Sequence, residues 1–244
     1  MLRRALRVVL TIVMFSTVAL AGTVATAGTA HADGCYTWNR TLNQGASGED
    51  VRQLQIRVSG YPGYGAVLAL DGEYGPATAA AVRRFQQAYG LGADGIAGQQ
   101  TFNKIYDLQD NDCTPIHFTY AELNRCNTTW AGGNVSAAQA RANALVNMWK
   151  LEALRHALGD RAITTSSGFR SVSCNNAAGG SATSRHLYGD AIDLTGTPSF
   201  CQLAQQARNH GFREILGPGY PDHNDHVHLA NRSSQFWSAP SCGI

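Results

Sequence analysis

Charge is scarce in this chain. Asp, Glu, Lys and Arg make up 15% of its 244 residues, well below the quarter usual in soluble domains. Beyond residue 32 no segment approaches the ~20 apolar residues that a membrane-spanning helix needs. No two cysteines are spaced C-x-x-C, so the usual signature of a cysteine zinc site is missing. Basic excess is missing too. Setting aside Arg3, Arg4 and Arg7, the 19 basic residues become 16 against 17 acidic ones, a net of −1. That balance excludes a nucleic-acid binder built on a basic surface. Disorder is excluded as well, because 44% of the residues are hydrophobic. The length suits one or two domains, and 26 glycines predict many turns.

The first 32 residues have the form of a secretory signal peptide. Arg3, Arg4 and Arg7 form a positive start, an apolar run follows from Val8 to Ala21, and Ala30-His31-Ala32 is a small-x-small cleavage site. A secreted, extracellular or wall-located chain starting at Asp33 is expected, with no membrane contact after cleavage. All six cysteines follow that point: Cys35, Cys113, Cys126, Cys174, Cys201 and Cys242. An even count in an oxidising compartment predicts three disulfides. Pairing in chain order is the expectation: Cys35 with Cys113, Cys126 with Cys174, Cys201 with Cys242.

Residues 41–108 suggest three short amphipathic helices. Ser47 is placed to cap the first, whose Val51, Leu54 and Val58 step by three and four. Gly75-Pro76 opens a second carrying Val82, Phe85 and Tyr89, and Gly90 stops it. A third carries Phe102 and Ile105. Within this stretch Asp71-Gly72-Glu73-Tyr74-Gly75-Pro76-Ala77-Thr78 is echoed by Asp94-Gly95-Ile96-Ala97-Gly98-Gln99-Gln100-Thr101, both D-G-x-x-G-x-x-T. With Gly45-x-x-Gly48 and Val51-x-x-Leu54-Gln55, this repeat resembles the small peptidoglycan-binding domain of wall hydrolases. The resemblance implies a three-helix bundle with a shallow groove for wall polymer.

A polar stretch with a proline, Asn111-Asp112-Cys113-Thr114-Pro115, marks a boundary. The expected division is 1–32 signal peptide, 33–113 binding module and 114–244 second domain. In that domain Ser136-x-x-Gln139 is a capping-box pattern. The helix after it puts Ala144, Met148, Leu151, Leu154 and Leu158 on one face, interrupted by Asn147 and Arg155. His156, also on it, reads as a solvated surface residue. Strands are expected at Ala162–Thr165, Ala191–Leu194 and His226–Ala230, with a helix opened by Thr197-Pro198. Mixed helices and strands without a βαβ rhythm predict an α+β fold.

Two clusters concentrate the metal-binding chemistry. One is Ser184-Arg185-His186-Leu187-Tyr188-Gly189-Asp190-Ala191-Ile192-Asp193, and the other Asp222-His223-Asn224-Asp225-His226-Val227-His228. Imidazole and carboxylate are ordinary zinc ligands, and a catalytic zinc takes three protein ligands and a water. His226 and His228, two apart, share a face in a regular strand. Asp225 sits at the strand's entrance, where the preceding loop could turn it inward.

The spacing His186-x-x-Gly189-x-Ala191-x-Asp193 followed by Asp225-x-x-His228 resembles the zinc D-alanyl-D-alanine peptidases, in the form secreted by actinomycetes. Ser167-Gly168-Phe169-Arg170-Ser171 is similar to that family's upstream Ser-Gly-Tyr-Arg-Ser element. The resemblance covers most of residues 116–244. It implies an α+β domain with a central antiparallel sheet behind the three-helix module, and one zinc ion per chain held by His186, Asp193 and His228. It implies Asp225 as general base, with a pKa raised enough to return a proton to the leaving amine. Arg170 would bind the scissile carbonyl or the terminal carboxylate. His226 would lie near the metal without ligating it, and His223 and Tyr220 would line the substrate pocket. The implied reaction is hydrolysis of the C-terminal D-Ala-D-Ala bond of peptidoglycan stem peptides by a monomeric wall-bound enzyme. The alternative on the same scaffold is an endopeptidase cutting cross-links or L-Ala-D-Glu bonds.

Overall fold

Glycine-led loops launch the first three helices: α1 (Glu49–Arg57), α2 (Pro76–Ala88) and α3 (Gln99–Asp107) follow Gly48, Gly75 and Gly98. The computed structural model describes residues 34–126 and 129–244, so the expected signal peptide lies outside the described residues. Ser47 does not cap α1; Gly48 holds that place, and no side chain completes the cap. Pro76 stands in the first turn of α2 as expected, where its missing N–H is no loss.

The repeat has a physical basis that spacing alone did not reveal. Gln55 donates to Asp71 Oδ1 and Thr78 Oγ1 while accepting from Gly72 N. Gln86 does the same with Asp94 Oδ1, Thr101 Oγ1 and Gly95 N. Each glutamine is buried, and each replaces the water that a tight loop would otherwise need. Around these braces Leu42, Val51, Leu54, Val82, Phe85, Phe102 and Ile105 form one core. Trp149 and Ala153, from far along the chain, complete it.

Both come from α4 (Ala137–Ala157), the longest helix described. Ser136 Oγ accepts from Gln139 N at 3.2 Å, but the Gln139 amide turns to Asn143 instead of returning to the cap. The full capping box occurs at Ser199 and Gln202, opening α6 (Phe200–Ala207). Along α4, Ala144, Met148, Leu151 and Leu154 enter a second core. The interruptions in its stripe are explained by pairing: Arg155 reaches the buried Glu152 at 3.0 Å, and Asn147 enters a polar network described below.

That second core lies beneath a five-stranded sheet: β1 (Thr164–Ser167), β2 (Ala191–Thr195), β3 (Glu214–Leu216), β4 (Val227–Ala230) and β5 (Phe236–Ser238), in the order β1-β2-β4-β3-β5. All pairs are antiparallel except β3 with β5. A short helix α5 (Val172–Ala177) follows β1. Neither β3, β5 nor α5 was apparent in the sequence, since three to six residues leave no period to read. Register sets the function of each face. Asp193 pairs with His228, Ile192 with Leu229, and Glu214 with Ala230. Opposed residues share a face, so Asp193, His228 and Glu214 project together. Ile192, Leu194, Val227, Leu229 and Ile215 project oppositely, all at 0% exposure, into the core shared with α4 and α6.

Three disulfides join Cys35 to Cys113, Cys126 to Cys174 and Cys201 to Cys242, the expected pairing. The described residues fall in one compact unit. The helical module is seated on α4 and the loop after α6. A Cβ on Gly60 would come 2.4 Å from Ala153 Cβ, so glycine permits the approach. His210 Nδ1 lies 2.7 Å from Gly60 O. His156 corrects the expectation of a solvated residue: its ring stacks on Tyr89 at 4.3 Å and its Nε2 lies 2.9 Å from Ala88 O.

Candidate active site

His186 stands on a 3-10 turn, Arg185–Tyr188, that ends in Gly189 at φ +70°. Asp193 comes from β2 and His228 from β4. The structure brings these three predicted ligands together, all nearly buried. Asp193 Oδ1 is 3.2 Å from His186 Nε2 and 2.9 Å from His228 Nδ1, and the two nitrogens are 3.2 Å apart. Zinc bonds of ~2.0–2.1 Å in a tetrahedron place ligand atoms roughly 3.3 Å apart.

The outer nitrogens determine what the inner ones offer. His186 Nδ1 lies 2.5 Å from Gly168 O. A carbonyl only accepts, so Nδ1 carries the hydrogen and Nε2 presents a lone pair. His228 Nε2 lies 3.2 Å from Glu214 Oε1 and its Nδ1 2.9 Å from Asp193 Oδ1, so each of its nitrogens faces a carboxylate that only accepts. Two imidazole nitrogens and a carboxylate oxygen crowded into one buried triangle require positive charge, supplied by a proton on His228 or by a metal ion. The donor set fits a divalent ion of the zinc type.

The electrostatics point the same way. Burial alone would lower His228, but the Asp193 and Glu214 carboxylates raise it to about 9. Burial pushes His186 down. Burial would raise Asp193, yet the two histidines hold it well below the carboxylate range. A proton and a metal therefore compete for His228.

Glu214 escaped sequence reasoning. It orients His228 as the outer carboxylate of a metal-ligating histidine does, and Arg232 Nε lies 2.6 Å from its other oxygen, off the hydrogen-bond axis. An acid in the otherwise apolar Glu-Ile-Leu strand was the available signal. Arg185 was likewise missed as the ion-pair partner of Asp190.

The remaining predicted residues take distinct places around a cleft of about 600 Å³. Arg170 enters from the β1 side, donating from Nη2 to Asp193 Oδ2 at 2.7 Å and from Nε to Ser167 Oγ at 2.9 Å. His226 Nε2 comes within 3.8 Å of Asp193 Oδ1, and its Nδ1 lies 2.8 Å from Asp225 Oδ1. Tyr220 and His223 also line the cleft, with ring centroids 5.3 Å apart, and the His223 ring lies 4.7 Å from that of His226. Asp225 corrects an expectation. Its side chain is 90% exposed, the loop turns it outward, and the hydrogen bond from His226 lowers its pKa. A raised pKa would have needed burial, which an outward-facing carboxylate lacks.

The family model Peptidase M15 matches residues 116–230, and a peptidoglycan binding domain model matches residues 47–105. The chain is 71% identical over 213 residues to a zinc D-Ala-D-Ala carboxypeptidase of Streptomyces albus G, covering 87% of this chain and 84% of that protein. It is 46% identical over 101 residues to a spore cortex-lytic enzyme of Bacillus cereus, covering 41% of this chain and 36% of the relative. A crystal structure of a fused Zn-dependent amidase/peptidase/peptidoglycan-binding protein from Clostridium acetobutylicum is 37% identical, covers 27% of this chain and 28% of its own, and has a TM-score of 0.24.

Proposed function

Since the chain belongs to the M15 peptidases and is 71% identical to the zinc D-Ala-D-Ala carboxypeptidase of Streptomyces albus G, we propose that it removes the terminal D-alanine from peptidoglycan stem peptides, with His186, Asp193 and His228 as its zinc ligands. The observation that carries this reading is the buried triangle of two imidazole nitrogens and a carboxylate, opening on a cleft in a chain that also carries a peptidoglycan-binding domain. Zinc held by His186, Asp193 and His228 would supply Lewis acidity to the scissile carbonyl and to water.

The chain's own groups complete the reaction. His226 faces the metal ligands with Nε2 while Asp225 accepts from Nδ1. We assign proton transfer to this pair: His226 takes the proton from the attacking water and passes it to the leaving amine. Asp225 fixes the ring and stabilises the imidazolium. Arg170, already bound to Asp193, supplies a permanent charge beside the carbonyl oxygen as it becomes negative. His223 and Tyr220 border the departing D-alanine.

We place the wall module at 33–113 and the catalytic domain at 114–244, behind a signal peptide at 1–32, and propose a secreted monomer. No helix among the described residues is long and apolar enough to cross a membrane. The test is free D-alanine released from a stem-peptide mimic ending in D-Ala-D-Ala, beside clearing of purified walls. Release from the mimic supports the carboxypeptidase. Wall clearing without release would assign an endopeptidase instead.

A further inference from the structure

The turn that carries His186 is held at five successive carbonyls. His186 O accepts from Arg170 N at 3.1 Å and Leu187 O from Asn134 N at 2.7 Å. Tyr188 O accepts from Asn143 Nδ2 at 2.8 Å and Gly189 O from Asn147 Nδ2 at 3.5 Å. Asp190 O accepts from Asn231 N at 3.1 Å. Two of these donors are side chains one helical turn apart on α4. The turn also rests on the helix backbone, since a Cβ on Gly189 would lie 2.4 Å from Ala140 O.

Asn147 is fully buried, an unusual position for an amide. Its oxygen accepts from Asn231 Nδ2 at 2.8 Å. Asn231 Oδ1 accepts in turn from Lys150 Nζ at 2.5 Å, and Lys150 also donates to Gly211 O at 2.8 Å. Lys150 belongs to the seat of the wall module: a Cβ on Gly60 would lie 3.0 Å from Lys150 Cα. One polar spine thus runs from the module's seat to the carbonyls beside His186. A leucine at position 147 would fill the space, but would leave Gly189 O and Asn231 Nδ2 unpaired in the interior.

We propose that Asn143 and Asn147, backed by Asn231 and Lys150, are positioning residues for His186, and that they tie zinc retention to the α4 face on which the wall module sits. They act through the backbone and touch neither metal nor substrate. The proposal rests on His186 being a zinc ligand. A ligand whose turn is fixed on all sides loses little freedom on binding and holds the ion longer.

The test is the rate at which the zinc-loaded full chain releases its metal to excess chelator, well below the unfolding midpoint. Asn147→Ala and Asn143→Ala should each speed release about 10-fold or more. Asn147→Asp keeps an acceptor for Asn231 but removes the N–H given to Gly189 O, so it should release zinc like Asn147→Ala. Lys150→Met should show a smaller acceleration. Phe85→Leu, in the module core away from the turn, should lower the unfolding midpoint and leave release unchanged. If Asn147→Ala does not fold, the half-buried Asn143 carries the test. Wild-type release rates in the asparagine variants would overturn the proposal. So would an equal acceleration in Phe85→Leu at a matched loss of stability. Unchanged zinc affinity in His186→Ala would instead overturn the ligand assignment on which the proposal rests.

Discussion

The two faces of the sheet are built by the same strands and have opposite properties. One carries Ile192, Leu194, Val227, Leu229 and Ile215 into the core, while the other carries Asp193, His228 and Glu214 to the cleft. Along β2 and β4 these roles alternate residue by residue. Stability and chemistry are therefore interleaved in sequence yet separated in space. A slip of one residue between β2 and β4 would bury the ligands and expose the core, so the apolar face fixes the register of the metal site.

The largest expected effect comes from breaking the polar face alone. His186→Ala should reduce D-alanine release on the order of a thousandfold, the several kcal/mol that a catalytic metal supplies. Its folded circular dichroism spectrum should persist. Leu229→Ala breaks the other face. A denaturant titration should show about 2–5 kcal/mol lost, and zinc should still bind to whatever fraction remains folded.

Acid sharpens the contrast between the sheet and the module's seat. His210 is buried beside Gly60 and lowered to about 4 by that burial. Its unfolded value is near 6.5, so between those values the unfolded chain binds the extra proton. Stability is full above 6.5 and falls as pH drops toward 4, by about 3 kcal/mol in total. Unfolding measured at stepped pH should show this acid limb, and it should flatten in His210→Gln. The smallest effect concerns the ligands. With His228 raised to about 9, one proton competes with zinc below that pH. Chelator competition should show affinity weakening roughly tenfold for each pH unit lowered.

Much of this was legible in the sequence because it is local. The His186 and His228 clusters, the D-G-x-x-G-x-x-T repeat and the Gly75-Pro76 helix start each fit within a few residues. The chain-order disulfides also held. What stayed hidden depends on distant partners. Glu214 becomes meaningful only when β3 pairs with β4, and Asn147 looked like a flaw in an apolar stripe until Asn231 and Gly189 faced it. Gln55 and Gln86 lie outside the repeat they brace. Asp225 was misjudged for a related reason: spacing gave its place in the chain but not the outward turn of its loop.

The most direct test of the account is a metal titration read by D-alanine release. Chelator-stripped enzyme, given zinc in steps, should recover full release at one equivalent per chain, and His228→Ala should recover none. Full release after stripping, or recovery in the absence of His228, would contradict a reaction centred on His186, Asp193 and His228.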